Sequence, residues 1–255
     1  MIEKKIHYCW FGKGEKNKII KKCIASWHSK CPDYELIEWN EDNFDVEVNR
    51  FCAEAYKECK WAFVSDYARL WILYNYGGIY FDTDIEVLKN LDELLVNDAF
   101  TGFEGMNGTE MVLQTGVIAC NKHDPVILKM LQYYEGRSLY ASDGSIIMEP
   151  NVIQFTKVFK EMGLNPVDKE QIVAGWTVYP RTYFTPIDPH GNRNITSNSY
   201  TDHHFTSTWE EEDKQGLVAL RRSFRYRLEK KINTTIKKIL GPRLVGAIIR
   251  WKHDK

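Results

Sequence analysis

The spacing of hydrophobic residues near the amino terminus changes twice, which predicts a strand, a helix and a second strand. Residues 6–11 are a mostly apolar run that ends at Gly12, as a short buried strand does. Apolar side chains then recur at helical spacing at Ile19, Ile20, Cys23, Ile24 and Trp27. Pro32 breaks the helix, and residues 34–39 alternate like a strand. This order is typical of the start of a nucleotide-binding α/β sheet.

The alternation of helical and strand patterns continues through the middle of the chain. Helices are predicted over residues 48–59 and 62–76, and the Gly77-Gly78 pair is a typical end for the second. The other predicted elements are strands at 79–81, 100–103 and 112–119 and helices at 125–134 and 151–162. The predicted fold class is therefore α/β, a Rossmann-like mixed sheet flanked by helices.

Composition is typical of one globular domain. The chain has 255 residues, of which 44% are hydrophobic, and this is enough for a core. No apolar run approaches the length of about 18 residues that suggests a membrane helix, and the amino terminus lacks an apolar signal segment. We therefore expect the catalytic part to be cytoplasmic. Six cysteines without a C-x-x-C spacing favour reduced, buried thiols.

Charge is distributed unevenly, although the net charge is only −1. Residues 214–255 contain 13 Lys or Arg and two acids, a net of +11, so that residues 1–213 carry −12. This asymmetry argues against general nucleic-acid binding and for an anionic partner of the basic segment alone. We predict a catalytic domain at residues 1–213 and a basic tail at residues 214–255.

The basic tail contains a helical pattern. Its apolar side chains share one face of a helix, namely Phe224, Leu228, Ile232, Ile236, Ile239 and Leu240. Such an amphipathic helix either packs on the catalytic domain, whose charge is opposite, or lies on an anionic membrane surface. The second reading places residues 222–255 peripherally on the inner face of the plasma membrane.

Candidate chemistry begins with two acids that follow the strand predicted at 79–81. Asp82 and Asp84 flank one threonine, and carboxylates so placed can reach one hard divalent cation. Alone, such a triplet is more often a polar turn. Upstream, Asp66 and Arg69 share one face of a predicted helix that also carries apolar residues. They are either a surface ion pair or partners for sugar, ribose or phosphate.

The run VSDYARLWILYNYGGIYFDTD at residues 64–84 resembles the DxD signature region of family 32 glycosyltransferases. That family includes bacterial capsular-polysaccharide transferases and yeast mannosyltransferases, and clostridial glucosylating toxins share the motif more distantly. The likeness extends to IHYCWFG at residues 6–12 and CPDYELIEWNEDNF at 31–44. It implies a GT-A fold and a metal-dependent, retaining transfer of a hexose from a nucleotide sugar to a glycan acceptor.

The resemblance also implies roles for individual residues. Asp82 and Asp84 become the DxD pair that holds Mn²⁺ or Mg²⁺, and Asp84 is the direct ligand. Asp66 and Arg69 hold the sugar and ribose of the donor, with Tyr80 beside them. A further residue, Trp10, either lines the nucleoside pocket or is a core tryptophan.

The second half of the chain contains one more motif, HHFTSTW at residues 203–209. The family pattern is paired histidines, three residues, serine and tryptophan, and here Thr208 stands where serine is usual. The resemblance implies His204, rather than His203, and the hydroxyl of Ser207 as further metal ligands, and Trp209 as a donor to phosphate. Asn151, Asp143 and Gln114 are either near the transferred sugar or ordinary capping and surface residues.

Three alternatives follow from these patterns. The predicted donor is a UDP-hexose, with GDP-mannose as the alternative, and the predicted acceptor is a glycan or lipid-linked glycan of capsular, exopolysaccharide or lipopolysaccharide synthesis. A nucleotide-sugar pyrophosphorylase is disfavoured, because no glycine-rich basic loop follows the first strand. A non-catalytic module that binds a sugar or a nucleotide sugar is the alternative from another class, and the intact Asp82/Asp84 pair argues against it.

Overall fold

The computed structural model describes residues 1–107, 110–147, 149–187 and 192–206. The chain divides into one compact unit, Met1–Phe205, and a second, Thr206–Lys255. The predicted domain boundary at 213/214, the tail helix, Ser207 and Trp209 lie outside the described residues. Of the helices in the described part of the chain, none is long and apolar enough to cross a membrane.

The strand–helix–strand unit at the amino terminus is confirmed. It consists of β1 (Lys5–Cys9), α1 (Lys18–Lys30) and β2 (Glu35–Trp39). The side chain of Asn17 caps α1 by accepting from the backbone amides of Ile19 and Ile20. β1 and β2 run parallel, as the intervening helix requires.

The predicted helix at 48–59 is shorter than expected and the next one is confirmed. The two are α2 (Arg50–Lys57) and α3 (Trp61–Tyr76), and β3 (Gly78–Phe81) follows. The Asn49 side chain caps α2, and the segment before it is a single 3-10 turn. α3 ends at Gly77, whose φ is +65° and where a Cβ would lie 2.7 Å from the amide nitrogen of Lys122. This turn directs the chain into β3.

The single strand predicted at 112–119 is wrong, because two strands occupy this segment. The strands of the middle region are β4 (Ile85–Val87), β5 (Ala99–Asn107), β6 (Glu110–Leu113) and β7 (Val117–Cys120). Residues 114–116 interrupt the predicted strand. The Thr115 carbonyl there accepts a hydrogen bond from Arg69 across 2.7 Å instead of joining a ladder. The break between β6 and β7 thus provides a hydrogen-bond acceptor for a side chain of α3.

The remaining elements complete the described chain. They are α4 (Pro125–Gln132), α5 (Asn151–Glu161), β8 (Gln171–Val173), β9 (Trp176–Tyr179) and β10 (Thr201–His203). Both helices were predicted, whereas β4, β8, β9 and β10 were not. Each of these four strands has only three or four residues, too few for a clear alternation.

The strands of the described residues form one large mixed sheet and one small one. The large sheet has the order β2-β1-β3-β7-β5-β9-β8, and β6 pairs with β5. β1 is parallel to β2 and β3, while β7 is antiparallel to β3 and β5. β10 and β4 form a separate antiparallel pair. The predicted mixed α/β fold class is confirmed.

Hydrophobic clusters cover both faces of the large sheet. In β3, Ile79 and Phe81 pack in the cluster that contains Trp27 of α1, while Tyr80 packs in the cluster built by α2 to α5. Alternate residues of a strand point to opposite faces, so helices flank the sheet on both sides. All six cysteines are free thiols and five are buried, as predicted.

Candidate active site

Asp82 and Asp84 lie in the turn between β3 and β4. The turn is fixed by two backbone hydrogen bonds, from the Asp82 amide to the Gly116 carbonyl at 2.9 Å and from the Ile85 amide to the Asp82 carbonyl at 3.1 Å. β1 pairs with β3, so the end of β1 lies beside this turn. Both carboxylates are therefore at the carboxyl edge of parallel strands, where α/β sheets bind ligands.

Arg69 is the centre of an ion network that joins α3 to this turn. Its guanidinium lies 3.0 Å from Asp66 Oδ1 and 3.2 Å from Asp82 Oδ1, and its side chain is only 5% exposed. It also donates to the backbone carbonyls of Ser65 and Thr115. Burial lowers the pKa of Arg69, but Asp82 and its other neighbours outweigh this effect and raise it. A buried cation between two carboxylates fixes both of them, and removing it would leave them unneutralised.

Asp66 has a second partner from the far half of the chain. The side-chain amide of Asn151 donates to Asp66 Oδ1 across 2.7 Å, and Asn151 accepts from the Thr115 hydroxyl at 2.9 Å. Burial raises the pKa of Asp66 to about 7, although Arg69 opposes the rise. Asn151 lies in the first turn of α5, and its amide and the Asp66 carboxylate form a polar pair suited to hydroxyl groups.

Tyr80 contacts Asp82, the first acid of the DxD pair. Its hydroxyl donates to Asp82 Oδ1 at 3.0 Å, and the Arg69 guanidinium lies 4.8 Å from its ring centroid. Burial raises the pKa of Tyr80 well above its usual value, so the phenol stays protonated and can donate. Burial also raises the pKa of Asp82, against the effect of Arg69.

His203 completes the group of side chains around Asp84. β10 pairs antiparallel with β4, which places His203 Nε2 3.3 Å from Asp84 Oδ1 and Nδ1 3.6 Å from Glu104 Oε2. The ring is buried and stacks on Phe205. Burial lowers the pKa of His203, but the carboxylates of Asp84 and Glu104 outweigh burial and raise it to about 10.

The structure brings His203, and not His204, to the DxD pair. His204 directly follows β10, and its ring Nε2 lies 2.8 Å from Glu86 Oε2. Only the His204 backbone amide reaches Asp84, donating to its carbonyl at 3.1 Å. His204 was predicted as a metal ligand; its ring faces Glu86 and Asp202, whereas the ring of His203 faces Asp84.

Glu86, Asp202 and His204 form a second group whose ligand atoms lie within 4.8 Å of one another. This group is already neutralised by cations, since Lys22 lies 2.7 Å from Glu86 and Arg193 pairs with Asp202. Arg193 also lies 3.2 Å from His204 Nδ1. The two acids and the two cations balance in charge, and Asp202 within the group is buried.

The chemistry of Asp82, Asp84 and His203 fits a divalent cation. Two carboxylates and an imidazole supply hard oxygens and one nitrogen, a set that suits Mn²⁺ better than Mg²⁺, which prefers oxygen alone. Gly116 keeps the space beside them open, because a Cβ there would lie 3.0 Å from Asp82 Oδ2 and 3.4 Å from His203 Cε1. The buried Nδ1 of His203, on the other side of the ring from Asp84, has no hydrogen-bond partner in the described residues.

Trp10 lines a cleft of about 280 Å³ at the ends of β1 and β2. Its indole donates to the Gly14 carbonyl across 2.7 Å, and the Lys16 ammonium lies 5.1 Å from the ring centroid. Lys16 is also 2.8 Å from Glu38 in the same cleft. Trp10 is half-buried and belongs to the cleft wall, which favours the pocket reading over the core reading.

Two further predicted residues differ in their surroundings. Asp143 is exposed and accepts from the amide and hydroxyl of Ser145, so it is a turn residue. Gln114 is fully buried, and its side-chain amide has no hydrogen-bond partner among the described residues.

Sequence reasoning missed two residues beside the site, Glu104 and Gly116. A single acid within the otherwise uncharged stretch AFTGFEG at 99–105 was the available signal for Glu104.

The predicted family resemblance is confirmed by comparison with known proteins. Residues 18–101 match the family described as the glycosyltransferase sugar-binding region containing the DXD motif. The matched segment contains Asp66, Arg69, Asp82 and Asp84. His203, Asn151 and Glu104 lie outside it.

Two curated proteins are related to part of the chain. It is 26% identical over 162 residues to "Subversion of eukaryotic traffic protein A" of Legionella pneumophila, covering 52% of this chain and 25% of that protein. It is 28% identical over 142 residues to inositol phosphoceramide mannosyltransferase 3 of Schizosaccharomyces pombe, covering 51% and 36%. The matches therefore span only about a quarter and about a third of these relatives.

Solved structures of glycosyltransferases are similar at a lower level. The PaToxG glycosyltransferase has a TM-score of 0.47 and 21% identity, over 63% of this chain and 69% of that one. The galactosyltransferase LgtC with donor and acceptor sugar analogs has a TM-score of 0.40 and 14% identity, over 83% and 91%. At these scores neither likeness assigns a residue or an activity to this chain.

Proposed function

We propose that this protein is a metal-dependent glycosyltransferase that moves a hexose from a nucleotide sugar to a glycan acceptor. The observation that carries the proposal is the network in which Arg69 joins Asp66 to Asp82, two positions before the Asp84 that pairs with His203. The side chains of Arg69 and Asp66 are only 5% and 12% exposed, and burying such charges is costly for a purely structural purpose. Its core lies within the segment that matches a glycosyltransferase sugar-binding region.

Each of these side chains has a separate proposed role in the transfer. Asp84, Asp82 and His203 would hold the cation, and Arg69 and Tyr80 fix the Asp82 carboxylate. When bound, the cation supplies Lewis-acid stabilisation of the charge that grows on the leaving diphosphate. Asp66 and Asn151 would accept from and donate to the sugar hydroxyls, which orients the anomeric carbon. Retention, which the family resemblance implies, favours attack by the acceptor on the same face as the leaving diphosphate.

The cleft beside Trp10 is the proposed nucleoside site. It opens at the ends of β1 and β2, next to the Asp82–Asp84 turn, as a nucleotide site at the carboxyl edge of parallel strands should. The half-buried indole offers a stacking surface for the base. A UDP-hexose remains the proposed donor, and GDP-mannose is the second candidate because one relative is a mannosyltransferase.

The proposed acceptor is a glycan or a lipid-linked glycan of capsular, exopolysaccharide or lipopolysaccharide synthesis. The support is the basic composition of residues 214–255 and the apolar stripe at 224–240. Such a segment would hold the enzyme on the anionic inner face of the plasma membrane, where lipid-linked acceptors lie.

Release of nucleoside diphosphate from a panel of UDP- and GDP-sugars tests the proposal. We expect release with one donor in the presence of Mn²⁺ and none in EDTA. Release that EDTA leaves unchanged would contradict the metal site. No release with any donor and any acceptor, together with donor binding in a thermal-shift assay, would favour the non-catalytic binding module.

A further inference from the structure

His203 Nδ1 is a buried ring nitrogen without a hydrogen bond in the described residues. Buried polar atoms are nearly always satisfied, so an unpaired one needs a reason. The Glu104 carboxylate lies on that side of the ring, with Oε2 3.6 Å from Nδ1. This distance is slightly too long for a hydrogen bond but needs less than 1 Å of movement to become one.

Glu104 reaches the site through an irregularity in β5. The pairing of β5 with β6 shifts register between Phe103 and Gly105. Bulges of this kind redirect a side chain and are frequent beside active sites. Phe103 is fully buried in the core and Glu104 follows it, so the carboxylate faces the opposite side, toward His203. The side chain of Glu104 is 20% exposed, partly shielded from solvent.

The two nitrogens of His203 face two different carboxylates. Nε2 lies 3.3 Å from Asp84 and Nδ1 lies 3.6 Å from Glu104. A neutral imidazole carries its proton on only one nitrogen, and the other nitrogen holds the lone pair that binds a cation. A carboxylate at Nδ1 keeps the proton there and leaves Nε2 for the cation. Hydrogen bonds of this kind orient metal-bound histidines in proteins generally.

We propose that Glu104 is a positioning residue that holds the His203 Nδ1 proton, so that Nε2 presents its lone pair toward the cation at Asp84. This inference rests on the proposed metal-dependent function. Glu104 acts only through the ring and does not itself hold the cation. The alternative is that Glu104 merely forms an ion pair with a protonated His203.

Binding of Mn²⁺ alone to the full chain, followed by electron paramagnetic resonance of the free ion, distinguishes the two roles. We expect Glu104→Ala to weaken Mn²⁺ binding by about 10- to 100-fold, the usual effect of removing such a partner. Glu104→Gln should stay within about threefold of wild type, because the amide oxygen still accepts from Nδ1–H. The matched control is Glu110→Ala, which removes an exposed acid of β6 that pairs with Lys160.

The outcomes separate this inference from the proposed function. If wild type and Asp84→Asn bind Mn²⁺ equally, the metal site itself is wrong. If Asp84→Asn weakens binding while Glu104→Ala matches wild type, only the role of Glu104 is overturned. Equal losses in Glu104→Gln and Glu104→Ala would overturn the positioning role, because Gln keeps the acceptor. Tighter Mn²⁺ binding in both variants would favour the ion pair, because that pair stabilises the protonated ring, which has no lone pair for a cation. Should Glu104→Ala lose its circular-dichroism spectrum, Glu104→Met fills the same volume without an acceptor and replaces it.

Discussion

The side-chain amide of Asn151 donates to Asp66 Oδ1 across 2.7 Å, between residues 85 positions apart in the chain. The contact joins the first turn of α5 to α3 and puts a neutral donor beside a buried carboxylate. Asn151 lies well outside the family segment at residues 18–101. The sugar side of the proposed site therefore depends on the second half of the chain.

Asn151→Ala should raise the donor KM by about 10- to 100-fold, the equivalent of one lost hydrogen bond to a charged group, about 1.5–3 kcal/mol. The reason is that Asp66 loses its neutral partner and the sugar loses a donor. Steady-state kinetics over a range of donor concentrations measures the change. Lys157→Ala, on the exposed side of the same helix, is the matched control and should leave KM unchanged. Equal KM values in both variants would contradict a role for Asn151 in the site.

Asp84→Asn should abolish transfer and leave the fold intact, because an amide coordinates a cation far more weakly than a carboxylate. Donor consumption in Mn²⁺ measures activity, and circular dichroism checks the fold. Asp143→Asn, the same change in an exposed turn, is the control and should retain full activity. If Asp84→Asn were as active as Asp143→Asn, Asp84 would not be a metal ligand.

Gly116→Ala should reduce activity at least tenfold with little effect on stability. An added Cβ would lie 3.0 Å from Asp82 Oδ2 and 3.4 Å from the His203 ring, so one of the two must move. Gly105→Ala is the control, because no atom lies within 4 Å of a Cβ there. Comparison of kcat and of thermal unfolding in the two variants measures the effect. An active Gly116→Ala enzyme would show that the space beside Asp82 is not needed.

Without metal, the stability of the protein should fall as the pH rises from about 6.5 toward 10. Asp84 and Glu104 outweigh burial and raise the pKa of His203 from 6.5 to about 10 in the fold. Protonation of the ring thus stabilises the folded state fully below pH 6.5, and this contribution is lost as the pH approaches 10. Urea unfolding in EDTA at pH 6.5 and 9 measures it. His203→Gln should lose less stability over this interval, and exposed His28→Gln should behave as wild type.

Removal of residues 222–255 should release the protein from anionic liposomes and leave metal-dependent donor hydrolysis measurable. Each basic residue near an anionic surface contributes about 1 kcal/mol to binding, and this segment contains most of the basic residues of the tail. Co-sedimentation at low salt measures the association, with neutral liposomes as the control. A full-length protein that stays in solution, or a truncated one that unfolds, would indicate a tail that packs on the domain.

Local patterns were sufficient for the elements that form the first half of the site. The helical spacing around Asp66 and Arg69, the Gly77-Gly78 turn and the following apolar strand each depend on neighbours in sequence. The same patterns predicted that Asp82 and Asp84 follow a strand. The central role of Arg69 between two carboxylates was less evident, because it requires the turn after β3 to fold back onto α3.

Contacts between distant segments explain what sequence reasoning missed. The choice between His203 and His204 depends on the register in which β10 pairs with β4, where His203 lies opposite Ile85. A shift of one residue would exchange their faces, and nothing local fixes it. Likewise, the local pattern predicted a single strand over residues 112–119. The Thr115 carbonyl within it accepts instead from Arg69, which is 46 positions away in sequence, so no local pattern indicates this contact.

The pairing of β10 with β4 also has a consequence for biosynthesis. His203 is translated 119 residues after Asp84. At about 5–20 residues per second, a ribosome needs about 6–24 s to cover that interval. During this time the nascent chain already carries its acidic pair but lacks the imidazole beside it. Premature release before residue 201 would yield a polypeptide that keeps the family segment at residues 18–101 and lacks the imidazole that faces Asp84.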